Sequence, residues 1–200
     1  MKILLIGAAG TVGSAIETEL GQRHDLVRAG RSNVDVQVDI ADPASIRDLY
    51  RHVGKLDAVI CAAGSVVFKP LAEMAPADFE LGLRDKLMGQ VNLVLLGQEV
   101  LNEGGSFTLT TGILSQSPIA SGASASLVNG AVDAFVRSAA IELPRGLRIN
   151  SVSPTVLVEA LSTYGSYFRG FKAVPGAEVA LAYSRSVEGR QTGQNYQVGY

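Results

Sequence analysis

The 200 residues predict an α/β fold: one doubly wound parallel sheet of about seven strands with helices on both faces. Three observations predict it. Short apolar runs alternate with stretches of helical periodicity along the whole chain. The first of these runs ends in a glycine-rich turn between Gly7 and Gly13. The composition, 47% hydrophobic with 22 glycines, suits a buried sheet joined by tight turns rather than a disordered or fibrous chain.

Residues 2–6 form an unbroken apolar run after Lys2, the pattern of a strand covered on both faces. Beyond the turn, Val12, Ala15, Ile16 and Leu20 recur at helical spacing, and Gly21 offers a stop. Residues 26–29 read as a second strand. Val34, Val36 and Val38 alternate with Asp35, Gln37 and Asp39, so a third strand with one more polar face belongs near a sheet edge. Asp42-Pro43 is an N-cap followed by proline in the first turn, and a helix should run from there toward His52. Residues 57–61 are the fourth strand. A long helix follows Pro76, with Phe79, Leu83, Leu87 and Val91 stacked on one face, and reaches about Leu101. Residues 105–111 make a fifth strand, residues 121–143 contain a second long helix stopped by Pro144, and residues 147–153 make a sixth strand. A helix over 176–187 and a strand over 194–198 complete the chain. With no repeat, linker or low-complexity segment, residues 1–200 read as a single domain.

A net charge of −2 gives no electrostatic reason to expect nucleic acid or an anionic membrane as partner. One cysteine forbids an intrachain disulfide and agrees with a reducing cytoplasm. The N-terminal apolar run is too short for a signal peptide or a membrane span, so the expectation is a soluble cytoplasmic domain. His24 and His52 lack partners at metal-ligand spacing, so no metal is expected. The Gly122 to Ser126 segment is not a Gly-x-Ser-x-Gly nucleophile elbow. Cys61, at a strand end, reads as a small buried residue.

Gly7, Gly10 and Gly13, with Thr11-Val12 between the last two, stand between the first strand and the first helix. A tight strand-to-helix turn and close backbone approach to a pyrophosphate both require a missing Cβ, and a helix N-terminus adds free N–H groups. This placement marks the fold as Rossmann-like and points to a dinucleotide. The second strand ends in Gly30-Arg31-Ser32, where an arginine suits the 2′-phosphate of NADP and Ser32 adds a donor. The expected cofactor is therefore NADP(H).

At these residues the chain resembles the short-chain dehydrogenase/reductase family over nearly its whole length. Asp39-Ile40 resembles the family's adenine contact, and Cys61-Ala62-Ala63-Gly64 resembles its Asn-Ala-Ala-Gly signature with a changed first residue. The AVDAFVRSAAIEL stretch from Ala131 is similar to the helix that follows the family's catalytic pair. LRINSVSP, ending at Pro154, is similar to the strand leading into its nicotinamide loop, which implicates Pro154 and Val156. Gln191-Thr192-Gly193-Gln194 resembles the approach to its last strand.

The resemblance implies an oxidoreductase acting on a small carbonyl or alcohol, through a Tyr-x-x-x-Lys pair, a serine and an asparagine. No Tyr-x-x-x-Lys occurs in this chain. Alignment with the family puts Ala125 at the tyrosine slot, Asn129 at the lysine slot, Thr111 at the serine slot and Lys86 near the asparagine slot. Neither a methyl nor a carboxamide supplies a proton, so Lys86 and Tyr164 are the candidate acids, and Thr111 and Asn129 candidate substrate or ribose contacts. Tyr167 and Ser124 are further candidates. The stretch from Pro154 to Gln191 is short, so the pocket should be open or small. Two readings stay open: a reductase with a non-standard active site acting on an unidentified small molecule, or a catalytically silent NADP(H) sensor or scaffold. A structural oligomer with a vestigial fold is a third. The small and apolar residues of the two long helices resemble the family's pairing surface, which implies a homodimer or homotetramer.

Overall fold

A computed structural model describes residues 1–200. Seven strands form one sheet: β1 (Lys2–Ile6), β2 (Asp25–Gly30), β3 (Val36–Gln37), β4 (Leu56–Cys61), β5 (Leu101–Thr110), β6 (Arg148–Pro154) and β7 (Asn195–Val198). All neighbours run parallel, in the order β3-β2-β1-β4-β5-β6-β7. The helices are α1 (Thr11–Leu20), α2 (Pro43–Val53), α3 (Pro76–Gly82), α4 (Gly89–Gly97), α5 (Ala123–Glu142), the single turn α6 (Leu161–Tyr164) and α7 (Gly176–Glu188). A π-helical stretch, Leu83–Met88, joins α3 to α4 without a break.

The period-2 alternation of strands buried on both faces divides the core into two layers. Leu4, Ile6, Val59, Cys61, Phe107 and Leu109 face α2, α4 and α5, meeting Ile46, Leu49, Leu93 and Val132. Their neighbours Ile3, Leu5, Ala58, Ile60 and Val152 face α1 and α7, meeting Ile16, Leu20, Val179 and Tyr183. The strand order reverses between β1 and β4, so the connections leaving their paired carboxyl ends turn to opposite faces of the sheet and leave a crevice above them.

Three elements differ from the sequence reading. The third strand pairs over Val36 and Gln37 only, because the preceding residues fold back: Arg28 N–H donates to the Asp35 carboxylate at 3.0 Å. The long helical pattern ends at Gly97, and Leu101 already belongs to β5, opposite Leu56. The ladder then breaks, with Ala58 opposite Ser106, and Gly104 in the bulge takes a φ of +71°. The buried face of the long helical run is also not the Phe79–Leu83–Leu87–Val91 stripe, which stays half-buried. The π stretch inserts an extra residue and rotates the face, burying Gly82, Gly89, Gln90, Leu93, Val94 and Gly97 instead. Leu95 on α4, with Leu127 and Ile141 on α5, remains exposed. No helix is long and apolar enough to cross a membrane.

Tyr50 locks α2 to α4 across the first layer: its buried hydroxyl donates to the Leu93 carbonyl at 2.7 Å. Tyr50→Phe keeps the ring and loses this bond, and should cost about 1 kcal/mol in urea unfolding with an unchanged m-value.

Candidate functional site

The crevice above the carboxyl ends of β1 and β4 is floored by the glycine turn. Gly7 has a φ of +85° and its N–H donates to the Ala29 carbonyl at 2.8 Å. Gly13 packs so closely beneath that a Cβ there would lie 2.0 Å from the Gly7 carbonyl oxygen. Gly10 caps α1 with no side-chain hydrogen bond, and the N–H groups of Thr11, Val12 and Gly13 have no backbone acceptor. Unpaired donors at the positive end of a helix, reachable because no Cβ intervenes, fit a pyrophosphate.

On one side of the turn lies a small recess formed by Gly30, Arg31, Val38, Asp39, Ile40 and Ala63. Arg31 is exposed at its rim and takes part in no ion pair. Asp39 is half committed, one oxygen accepting the Ala41 N–H at 2.9 Å. Ser32 lies outside the recess walls. Asp85, from the π stretch, closes the far side; sequence reasoning passed over it because a charged residue on a long helix carries no local signal.

On the other side opens a cleft of about 450 Å³. It gathers Gly10, Thr11 and Val12 from the turn, Ala62 and Gly64 after β4, Pro154 at the end of β6 and Val156 beyond it. Lys86, Thr111, Asn129 and Tyr164, scattered over four elements, all face it. Gly7 and Gly13 lie beneath the floor rather than in the walls. Ser124 points away, into α3, where a Cβ on Gly82 would sit 3.0 Å from its hydroxyl oxygen. Tyr167 is outside the walls too, packed on Phe68.

Lys86 is the only charged side chain lining the cleft. Its stem lies on Gly64, where a Cβ would come within 2.6 Å of the Lys86 Cγ. Burial of the ammonium pushes its pKa down to about 8, with Cys61 and Asp133 opposing the shift. No carboxylate pairs with it, although Asp133 lies one helical turn beyond Asn129 and is held by a 3.1 Å hydrogen bond from the Ser151 hydroxyl. Asn129 donates to the Gly112 carbonyl at 3.4 Å, while its Oδ1 is buried and unpartnered. The Thr155 hydroxyl, also in the cleft wall, is another buried orphan. Buried polar atoms ordinarily find partners, so two orphans beside the glycine turn fit the ribose and carboxamide of a nicotinamide nucleotide.

Ala125, at the slot where a tyrosine stands in the family, is a buried methyl packed with Ile113 and Leu114. Thr111 keeps a hydroxyl in the cleft, bonded only loosely to the Val152 carbonyl at 3.5 Å. Its neighbour Thr110 is structural, with its hydroxyl 2.6 Å from both the Cys61 carbonyl and the Tyr183 phenol. Gln90 pins these parts together. Its amide donates to the carbonyls of Thr110 at 3.0 Å and Lys86 at 3.2 Å, and accepts the Thr110 N–H at 2.8 Å. A buried glutamine after Gly89 was the available signal for this role. Cys61 is fully buried, its thiol pushed up to about 12 by desolvation, so it is not a nucleophile.

Comparison with known proteins agrees with this fold. The family profile for enoyl-(acyl carrier protein) reductases matches residues 8–192. Versicolorin reductase stcU of Emericella nidulans is 28% identical over 179 residues, covering 76% of this chain and 68% of that protein. The crystal structure of the protein lin1944 from Listeria innocua superposes with a TM-score of 0.97 at 53% identity over 98% of both chains. A small-chain dehydrogenase crystallised with NADPH has a TM-score of 0.88 at 23% identity, covering 99% of this chain and 96% of that one, and so shares the fold.

Proposed function

Because this chain belongs to the short-chain dehydrogenase/reductase family, we propose that it is an NADP(H)-dependent oxidoreductase whose proton donor has moved from the usual tyrosine to Lys86. The observation that carries this reading is a cleft that holds both the glycine turn and a lone lysine ammonium, with the Arg31 recess adjoining it at Gly64. The NADPH bound to the small-chain dehydrogenase of the same fold supports the choice of cofactor.

The parts divide as follows. The Thr11, Val12 and Gly13 N–H groups bind the pyrophosphate, Arg31 the 2′-phosphate, Asp39 and Ile40 the adenine, and Asn129 Oδ1 a ribose hydroxyl. Held there, NADPH would supply the hydride chemistry at the substrate carbonyl carbon. The Lys86 ammonium holds the oxygen, gives it a proton as charge builds there and regains one from solvent through the open mouth. Thr111 orients the oxygen by a second hydrogen bond. Ala125 contributes no proton and keeps water off that wall. The competing reading, a silent cofactor sensor, rests on that same methyl.

Leu95, Leu127 and Ile141, exposed on α4 and α5, support pairing of two copies through these helices. Sedimentation at micromolar concentration should give a dimer or tetramer; a single-chain mass would contradict the pairing.

Arg31→Asp should weaken NADPH binding on the order of tenfold or more with little effect on NADH, followed by fluorescence titration. Equal losses would refute the 2′-phosphate assignment. The pH profile tests Lys86. An acid must be protonated, and a lysine with a pKa near 8 is charged below that value. Carbonyl reduction should therefore hold level below about pH 8 and fall with rising pH above it, whereas Lys86→Met should run roughly 10²–10⁴-fold slower with no such limb. Tight NADPH binding without turnover across a carbonyl panel would instead establish the sensor.

A further inference from the structure

The end of the cleft away from the glycine turn is built from side chains that the dinucleotide does not need. Gly64, at a φ of +137°, turns the chain after β4 so that Val66 and Phe68 come back over the crevice. Ile113 and Leu114 rise from the turn after β5, and Phe168 reaches across from the segment after β6. With Ala125 they make a third apolar cluster, separate from the two layers beside the sheet. Phe68 is gripped from the opposite rim, its ring 5.6 Å from that of Tyr164 and 5.5 Å from that of Tyr167. Phe168 meets Phe171 edge-on at 5.5 Å. Such rings are large apolar surfaces that prefer offset or edge contacts with other rings.

Charge narrows the occupant further. No carboxylate or guanidinium lines the cleft, so a substrate phosphate or carboxylate would find only the Lys86 ammonium, which is taken by the reacting oxygen. A flat apolar body with a single oxygen at one end matches what is present. The nicotinamide end of a bound cofactor would take part of the 450 Å³, so the remaining space favours a compact occupant.

Building on the reductase reading for where the oxygen sits, we propose that the cleft takes an uncharged, flat aromatic carbonyl compound, whose reduction gives the benzylic or ring alcohol, and that a hydroxyarene of the same shape binds there without reacting. Its rings lie between Phe68 and Phe168 on the rim side and Ile113 and Leu114 on the sheet side. Its oxygen meets Lys86 and Thr111. The Phe68–Tyr164–Tyr167 contact joins the two rims over the bound ring.

The fluorescent probe 2-naphthol tests this on the full chain, with and without saturating NADP⁺, alongside an NADPH titration of each variant. Saturable quenching is expected, displaced poorly by cyclohexanol and by acetoacetyl-coenzyme A. Phe68→Ala or Phe168→Ala should weaken it on the order of tenfold, and Phe68→Leu about two- to threefold, with NADPH affinity unchanged in all three. Unsaturable quenching in a protein that binds NADPH would overturn the aromatic assignment, as would displacement by acetoacetyl-coenzyme A at lower concentration than the naphthol itself. Loss of NADPH binding in wild-type protein would sink the cofactor reading alone, since the naphthol titration without cofactor still decides the aromatic one.

Discussion

The site depends on how closely α1 is packed onto the turn that leads into it. The Gly7 carbonyl sits under Gly13 with no space for a methyl between them, and Gly7 in turn presses on Ala62, where a Cβ would meet backbone at 2.8 Å. Those two contacts bring the end of β1, the start of α1 and the end of β4 into one small volume. The free N–H groups of α1 therefore open onto the crevice, and the segment after β4 passes directly beside it. Every other part of the site is positioned against this floor.

The chemistry is assembled from a second constraint, on the opposite side of the crevice. In a regular α-helix, the residues from Pro76 to Gly97 would keep one face toward the sheet. The π stretch breaks that register over Leu83–Met88 and brings Lys86 onto Gly64, while Gln90 sews the same turn to the end of β5. A lysine held this way loses part of its hydration without gaining an anionic partner, which is why its pKa falls toward the working pH. The family's proton donor comes from α5. Here α5 lines the cleft with Ala125 and Asn129, and the one cation in the cleft wall, Lys86, belongs to the π stretch.

The apolar end of the cleft follows from this arrangement. With a methyl instead of a phenol at position 125, the wall against Ile113 and Leu114 becomes continuous hydrocarbon, and the rings on the rims complete it. Polar and apolar ends of one cleft thus arise from different segments: the strand ends and π stretch supply hydrogen bonds and charge, and the loops supply rings.

Much of this was legible in the chain itself. The alternation of apolar runs and helical periods determined a parallel α/β sheet, since strands buried on both faces and helices buried on one leave distinct patterns. The Gly7 to Gly13 spacing located the turn, Gly30-Arg31 the likeness to an NADP site, and the missing Tyr-x-x-x-Lys the doubt about the acid. What the tertiary structure decided was which helix face is buried, because a π insertion leaves no composition signal. It also decided that Lys86 and Thr111 share a cleft while Ser124 turns away, and that Val66, Phe68 and Phe168 form a wall. Those residues are far apart in sequence, and only the parallel sheet, which gathers the carboxyl ends of its strands along one edge, brings the segments that carry them to one mouth.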